Sequence, residues 1–329
     1  MKHFRFSHLL YAAMLLGLAA CQTQAPSTPA PTETPLASAI TQPAQALMAS
    51  PTPTPLVFDE LAQQFEYDSA APLNIQDLSQ PDLEQLKITL PEGVNLSEIS
   101  YDAPGGAVRG YLVKPAGDGP FAAVSWGHKY PGSNVQFLEE AVSLAPRGVV
   151  SLLVEGRYPG QVVPGNFNAD CTSIINQVLD LRRGLDVLLA TPGVDAARLA
   201  YVGHDYGAMH GAILAGVDKR VKAYVLTAFT GSYFDWRLYF GALPAADLRE
   251  YARLAPTLAP LTYIPHAAPA RLFLQFGATD RYVSQERAEQ LIEAASEPKQ
   301  VQTYAAGHDL DETARTDREA FLIETLALP

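Results

Sequence analysis

Enzymes that cleave bonds through a covalent intermediate need a nucleophile, a histidine to manage the proton, and a carboxylate to orient that histidine. In this chain of 329 residues such side chains occur on three stretches of similar pattern. The first is Gly203-His204-Asp205-Tyr206-Gly207, which follows the apolar run Leu199–Val202 and leads into a small-residue stretch at Ala208, Gly211 and Ala212. It is a G-x-nucleophile-x-G turn with an aspartate where a serine or cysteine usually stands. No G-x-S-x-G or G-x-C-x-G occurs elsewhere in the chain. A sharp turn of this kind lifts the Asp205 side chain clear of the strand and leaves the Tyr206 N–H free to stabilise an oxyanion. An aspartate at this position also serves simply to cap the following helix.

The second stretch is Leu272–Phe276 followed by Gly277-Ala278-Thr279-Asp280, and the third is Val301–Tyr304 followed by Ala305-Ala306-Gly307-His308-Asp309. Asp280 and His308 thus each fall just past the end of an apolar strand. Asp309 is a second carboxylate beside His308, but sequence neighbours rarely face each other, so Asp280 is the expected partner. The other oxyanion donor belongs on the loop Gly127-His128-Lys129-Tyr130-Pro131-Gly132-Ser133, from His128 or Lys129.

The elements that must carry these loops follow from periodicity. Glu98–Tyr101 and Ala107–Val113 flank Pro104-Gly105-Gly106, a hairpin signal. After it, strands are expected at Phe121–Trp126, Val149–Val154, Leu199–Val202, Val221–Leu226, Arg271–Phe276 and Val301–Tyr304. Helices are expected at Val135–Leu144, Thr172–Leu189, after the elbow, at Arg287–Ala295 and at Thr313–Leu326. Alternating strands and helices predict a mostly parallel sheet with helices on both faces. Right-handed crossovers bring every strand-to-helix loop to one edge, where ligands bind. Gly231–Pro269, rich in Tyr, Phe and Leu, interrupts the alternation and is expected to form a small cap over that edge.

From about Ser97 onward the chain resembles the α/β-hydrolase superfamily, whose active residues follow in the order nucleophile, acid, histidine. The Asp-bearing elbow looks like that of epoxide hydrolases and dehalogenases, whereas the layout and short cap look like dienelactone hydrolases and acetyl-xylan-esterase-type members. The resemblance implies an α/β-hydrolase fold with a catalytic triad of Asp205, Asp280 and His308. The loop after Phe121–Trp126 departs from the superfamily's HG-x-P segment, having Trp126-Gly127-His128 in its place, and the second oxyanion donor stays open there.

A carboxylate attacks esters poorly, since the product is an anhydride, but attacks sp3 carbon bearing a halide or a strained epoxide oxygen. The resulting ester is then hydrolysed by water activated through His308. An epoxide needs proton donors from the cap, for which Tyr233, Tyr239, Tyr251 and Tyr263 are available; a halide needs N–H donors such as Trp126 or Trp236. Tyr206 stands where haloalkane dehalogenases carry Trp, which favours epoxide-type chemistry. Two other readings are an esterase-like hydrolase with Asp205 as general base, and a binding protein on a hydrolase fold. His204 is expected to pack or hydrogen-bond beneath the elbow, and His210 to stand apart from catalysis. The charged pair Glu155 and Arg157 is read as structural. Cys171 is placed at the opening of a helix, where a thiolate is favoured.

The first residues belong to targeting. Lys2 and Arg5, the apolar run Leu9–Ala20 and Leu18-Ala19-Ala20-Cys21 resemble a bacterial lipoprotein signal, which makes Cys21 the acylated first residue of the mature chain. Residues 22–55 are mostly Pro, Thr, Ala, Ser and Gln with Glu33 the sole charge, a tether that cannot build a core. Residues 56–329 form the expected catalytic domain. Without Lys2 and Arg5 the 23 basic residues fall to 21 against 35 acidic, a net charge of −14. So acidic a chain argues against nucleic acid as a partner, and membrane attachment falls to the acyl chains at Cys21. The expected place is extracytoplasmic, tethered to a bacterial membrane, with a small molecule as substrate. With Cys21 acylated, Cys171 is left without a disulfide partner. No CxxC or HExxH spacing appears, so neither a metal nor another cofactor is expected.

Overall fold

Strands β4 (Phe121–Gly127) and β5 (Val149–Val154) are buried at every residue, as strands covered on both faces must be. The structure is a computed structural model that describes residues 57–158, 167–233, 235 and 255–329. The expected signal peptide with Cys21, the tether, and most of the expected cap with Trp236, Tyr239 and Tyr251 lie outside the described residues.

Among those residues nine strands form one sheet in the order β1-β2-β3-β5-β4-β6-β7-β8-β9. The remaining strands are β1 (Gln76–Ser79), β2 (Val94–Ala103), β3 (Gly106–Pro115), β6 (Val194–His204), β7 (Ala223–Thr227), β8 (Arg271–Gly277) and β9 (Lys299–Tyr304). β1 to β3 pair antiparallel, β3 is antiparallel to β5, and every pair from β5 to β9 is parallel. The hairpin expected at Pro104-Gly105 joins β2 to β3, with Ala103 paired to Gly106.

The helices are α1 (Phe58–Ala62), α2 (Leu83–Leu86), α3 (Leu138–Leu144), α4 (Phe167–Ala190), α5 (Tyr206–Val217), α6 (Pro260–Tyr263), α7 (Gln285–Ala294) and α8 (Glu312–Thr325). Side chains from α4, α5 and α7 fill one face of the sheet, and those from α3 and α8 the other. Helix α5 is buried from Tyr206 to Gly216, as expected of a helix apolar all round. Truncating a side chain such as Leu214 there costs about 2–5 kcal/mol.

Strand order reverses at β4: the chain moves from β4 to β5 on one side, then crosses back to β6 on the other. The carboxyl ends of β4 and β6 therefore flank the crevice where such sheets bind ligands. Those ends carry the His128–Ser133 loop and the Asp205 turn.

Three expectations need correction. β1 was not anticipated; its sequence Gln-Asp-Leu-Ser is exposed throughout and carries no apolar alternation. Helix α4 begins at Phe167 rather than Thr172, so Cys171 lies inside the helix. Partial burial there pushes its thiol up to about 11, away from a reactive thiolate. Strand β6 starts five residues early, at Val194, through an irregular pairing with β4 near Phe121.

The lead-in before the sheet is fixed by a cluster of ions. Tyr67 donates to Asp186 at 3.0 Å, Arg182 Nη1 donates to the Phe65 carbonyl at 2.6 Å, and Arg183 Nη2 donates to the carbonyls of Ala71 and Pro72. Asp218 accepts from Arg182 and Arg220, holding the end of α5 to α4.

Candidate active site

The turn between β6 and α5 is tight because two glycines let backbones nearly touch. A Cβ on Gly207 would lie 2.1 Å from the Gly127 carbonyl oxygen, and one on Gly203 would lie 2.6 Å from the Gly207 carbonyl. Asp205 between them adopts φ 54°, ψ −117°, a conformation L-residues avoid. Its own amide donates to the Thr227 carbonyl at 2.9 Å, and its carbonyl starts helix α5 by accepting from Met209. The side chain makes no capping bond to the amides one turn into α5. That observation sets aside the capping alternative.

The Asp205 carboxylate is 1 % exposed, and its two oxygens are treated differently. Oδ2 accepts from the Tyr130 N–H at 3.1 Å, and the Tyr206 N–H also bonds the carboxylate. Oδ1 is buried without a hydrogen-bond partner. Burial dominates the balance and pushes the carboxyl up to about 7, against the pull of His308 and the two N–H groups.

His308 stands 4.0 Å away, its Nε2 toward Asp205 Oδ1. Its Nδ1 meets Asp280 Oδ2 at 2.8 Å. The other oxygen of Asp280 accepts from the Tyr282 and Val283 amides at 2.8 and 3.1 Å. Asp280 is thereby held below the ordinary carboxylate range, the bonds to His308 and the amides outweighing burial. Asp309, the competing carboxylate, turns away and pairs with Lys129. The three residues read from separate strand ends thus meet at one rim.

The second N–H is neither of the two anticipated. The Lys129 amide donates to Gln136 Oε1 at 2.8 Å, and the His128 ring turns away, Nδ1 to the Lys129 carbonyl and Nε2 accepting from Gly156. The N–H aimed at Asp205 comes one residue later, from Tyr130. Spacing alone could not choose among three consecutive amides; the choice is made by Gln136, seven residues on. Glu155 meets the His128 ring at 3.3 Å and Arg157 pairs with Asp180, both in supporting positions.

Of the expected pocket residues, Tyr233 lies at the site. Its ring packs on Tyr206 (5.9 Å) and His210 (5.4 Å), and its buried hydroxyl has no partner. Tyr263 is elsewhere, donating to the Thr257 carbonyl at 2.7 Å and packed on Phe65. Trp126 is a correction: it shares the face of Ala122 and Val124 and packs on Phe137 at 5.2 Å, in the core beneath α3. Strand alternation directs its indole N–H into that core rather than to the rim. A cleft of about 630 Å³ is lined by Lys129, Tyr130, Arg281, Tyr282, His308 and Asp309 among others. Among the described residues no cluster of His, Cys, Asp and Glu suits a metal ion.

No family model matches the chain, and no curated protein does. Solved structures do. The acetyl xylan esterase from Paenibacillus sp. R4 superimposes with a TM-score of 0.64 at 19 % identity, over 82 % of this chain and 93 % of that one. Acetyl xylan esterase 1 from Thermoanaerobacterium sp. JW/SL YS485 gives 0.66 at 16 % identity, over 86 % and 99 %. The putative dienelactone hydrolase from Klebsiella pneumoniae gives 0.53 at 18 %, over 71 % and 98 %. The fold is the α/β-hydrolase fold. Within it, Asp205 occupies the elbow between β6 and α5, and His308 and Asp280 the loops after β9 and β8.

Proposed function

We propose that the protein is a hydrolase acting through a covalent ester on Asp205, on a small substrate with an electrophilic sp3 carbon, of the epoxide or alkyl halide type. The observation that carries this reading is the unequal treatment of the two Asp205 oxygens. Oδ2 is held by the Tyr130 N–H at 3.1 Å, whereas Oδ1 makes no hydrogen bond and lies 4.0 Å from His308 Nε2. A carboxylate so pinned presents one lone pair to an incoming carbon. An ester substrate would need the Tyr130 N–H for its own oxyanion, and Oδ2 already fills it; this weighs against Asp205 as general base in ester hydrolysis.

In the first step Oδ1 forms a bond to carbon as the bond from carbon to the epoxide oxygen, or to the halide, breaks. An epoxide oxygen leaves as an alkoxide and takes a proton. Tyr233 is the donor favoured by position: its hydroxyl is buried, unpartnered and packed on the elbow. Burial raises its pKa well above the ordinary value, keeping the proton in place until the alkoxide forms. In the second step His308 Nε2 takes a proton from water, and the hydroxide adds to the Asp205 carboxyl carbon. The developing oxyanion is Oδ2, already bonded by the Tyr130 amide. Collapse releases the alcohol, which takes its proton from His308, and leaves one water oxygen in Asp205 as the acid; that acid's proton restores the Tyr233 phenol after an epoxide, or leaves to solvent with the halide. Asp280 keeps the imidazole oriented and supports its charge.

The same reading places the mature chain outside the cytoplasm, anchored by acyl groups on Cys21, the Pro/Thr-rich residues 22–55 serving as tether. Palmitate labelling that survives in the wild type and is lost in Cys21→Ser tests the anchor.

Single turnover in 18O-water tests the chemistry. Label in the Asp205 carboxylate is expected from a covalent ester. Label in the product alone would move the reading to Asp205 as general base. Absence of turnover on epoxides, haloalkanes and activated esters, with ligand binding unchanged in Asp205→Ala, would leave a binding protein on a hydrolase fold.

A further inference from the structure

His204, beside Asp205 in the elbow, takes no part in the steps above. Strand alternation puts it with Ala200 and Val202 on the face covered by α3 and α8, opposite to α5. It is 2 % exposed. Its ring nitrogens are both engaged: Nδ1 meets Gln136 Nε2 at 2.6 Å, and Nε2 meets the His308 carbonyl at 3.0 Å.

The direction of every bond in this chain follows from one fixed end. The Lys129 backbone N–H can only donate, so the Gln136 atom 2.8 Å from it is the amide oxygen. The amide nitrogen of Gln136 then faces His204 Nδ1 and donates to it. Nδ1 is therefore the bare nitrogen, the proton sits on Nε2, and Nε2–H donates to the His308 carbonyl. The histidine tautomer is set here by a network rather than by choice.

We propose that His204 is a positioning residue: locked as the Nε2–H tautomer by Gln136, it holds the His308 carbonyl and so fixes the loop that presents the imidazole to Asp205. The inference rests on His308 being the catalytic base proposed above. His308 is then held at two points, its ring by Asp280 at 2.8 Å and its backbone by His204. The same three residues, Lys129, Gln136 and His204, join the loop that supplies the Tyr130 N–H to the loop that supplies the base. A displacement of either by about 1 Å is enough to cost up to about 100-fold in rate.

The electrostatics agree with a neutral ring. Burial pushes the His204 pKa down to about 3, helped by His308 and Lys129, with Asp309 and the bond to the His308 carbonyl acting the other way. A cationic His204 would carry a proton on Nδ1 against the Gln136 N–H, with no acceptor for it.

The test reads nitrogen protonation directly, apart from any turnover. In 15N-labelled protein, with His204 signals assigned by their loss in His204→Gln, the expected spectrum has a proton on Nε2 alone from pH 8 to pH 5. A proton on Nδ1, or a second protonation within that range, overturns the proposal. Gln136→Glu, which keeps the acceptor for Lys129 but removes the donor, is expected to draw a proton onto Nδ1; an unchanged His204 spectrum overturns it. Positioning is read at the His308 Nδ1–H, held by Asp280 and expected as a sharp low-field resonance. His204→Leu is expected to broaden it by exchange with water, while His204→Gln, whose amide nitrogen can still reach the His308 carbonyl, keeps it. A sharp resonance in His204→Leu overturns the positioning role. Where a substrate is in hand, kcat falls up to about 100-fold in His204→Leu with KM unchanged, and His204→Gln restores most of it. Equal losses in the two variants overturn the role, whereas failure of the 18O test alone strikes only the chemistry assigned to Asp205.

Discussion

Asp205 and Asp280 flank the same imidazole, and both side chains are 1 % exposed. They are nonetheless pushed in opposite directions, Asp205 up to about 7 and Asp280 below the ordinary range. The difference lies in how their lone pairs are used. Asp280 accepts from two backbone amides on one oxygen and from His308 on the other. Asp205 accepts from the Tyr130 amide on Oδ2, while Oδ1 is desolvated with nothing to replace the lost water. The deeper-set Asp205 is thus left unsatisfied and free to react, while Asp280, nearer the surface and fully bonded, is a satisfied carboxylate that orients. Pairs of groups driven apart by their surroundings mark the division of roles in an active site.

The largest effect separates the two most sharply. Asp205→Asn is expected to lower turnover by about 10⁴-fold or more, since among the described residues the other rim carboxylates are engaged, Asp280 by His308 and Asp309 by Lys129; retention of a tenth of wild-type kcat would remove the nucleophile role. His308→Gln is expected next. It leaves the first step intact but blocks hydrolysis of the ester, costing about 10³-fold in steady-state rate. Mass spectrometry should then find the chain heavier by the substrate's alkyl group, on the peptide containing Asp205. Asp280→Asn is expected to cost less than loss of the nucleophile, because the amide keeps an acceptor for the Tyr282 and Val283 N–H groups but gives the imidazole no charge to lean on. A loss in Asp280→Asn as large as in Asp205→Asn would erase the contrast between them.

How far the contrast was legible before the fold differs residue by residue. Asp205, Asp280 and His308 could each be placed because an apolar strand ends just before them, and parallel strands of one hand send all such ends to one edge. The elbow's sharpness could be read from Gly203 and Gly207, whose Cβ positions are filled by backbone. The Tyr130 N–H could not, because the contact that removes Lys129 from the choice is a side chain from another turn. The role of His204 was legible only as a hydrogen bond beneath the turn; its partners come from residues 136 and 308. Trp126 is a different case. The alternation Ala122, Val124, Trp126 was in plain view, and reading it strictly puts the indole on the far face of the sheet from α5. Strand β1 left no trace, since an exposed edge strand needs no apolar face.

The smallest effect concerns stability, where the two carboxylates should act with opposite sign. Asp205 is raised in the fold, so between pH 3.8 and about 7 the folded chain binds a proton that the unfolded chain has released. Stability therefore falls as pH rises through that window, and above it the fold carries the full penalty of a buried charge. Removing the charge in Asp205→Asn relieves that penalty, with a ceiling of about 4 kcal/mol at pH 8 for a carboxyl moved from 3.8 to about 7. The amide replaces one acceptor poorly, so the expected gain is about 2 kcal/mol, in line with other active-site residues held at a cost to stability. The gain should shrink as pH drops through the window and vanish near pH 4. Asp280 is lowered in the fold, so its contribution is present above the ordinary carboxylate range and is lost as pH falls through its folded pKa. Asp280→Asn should therefore unfold at lower urea concentration than wild type at pH 8, where Asp205→Asn unfolds at higher. Two midpoints on the same side of wild type would mean that the pair does not divide its roles by solvation.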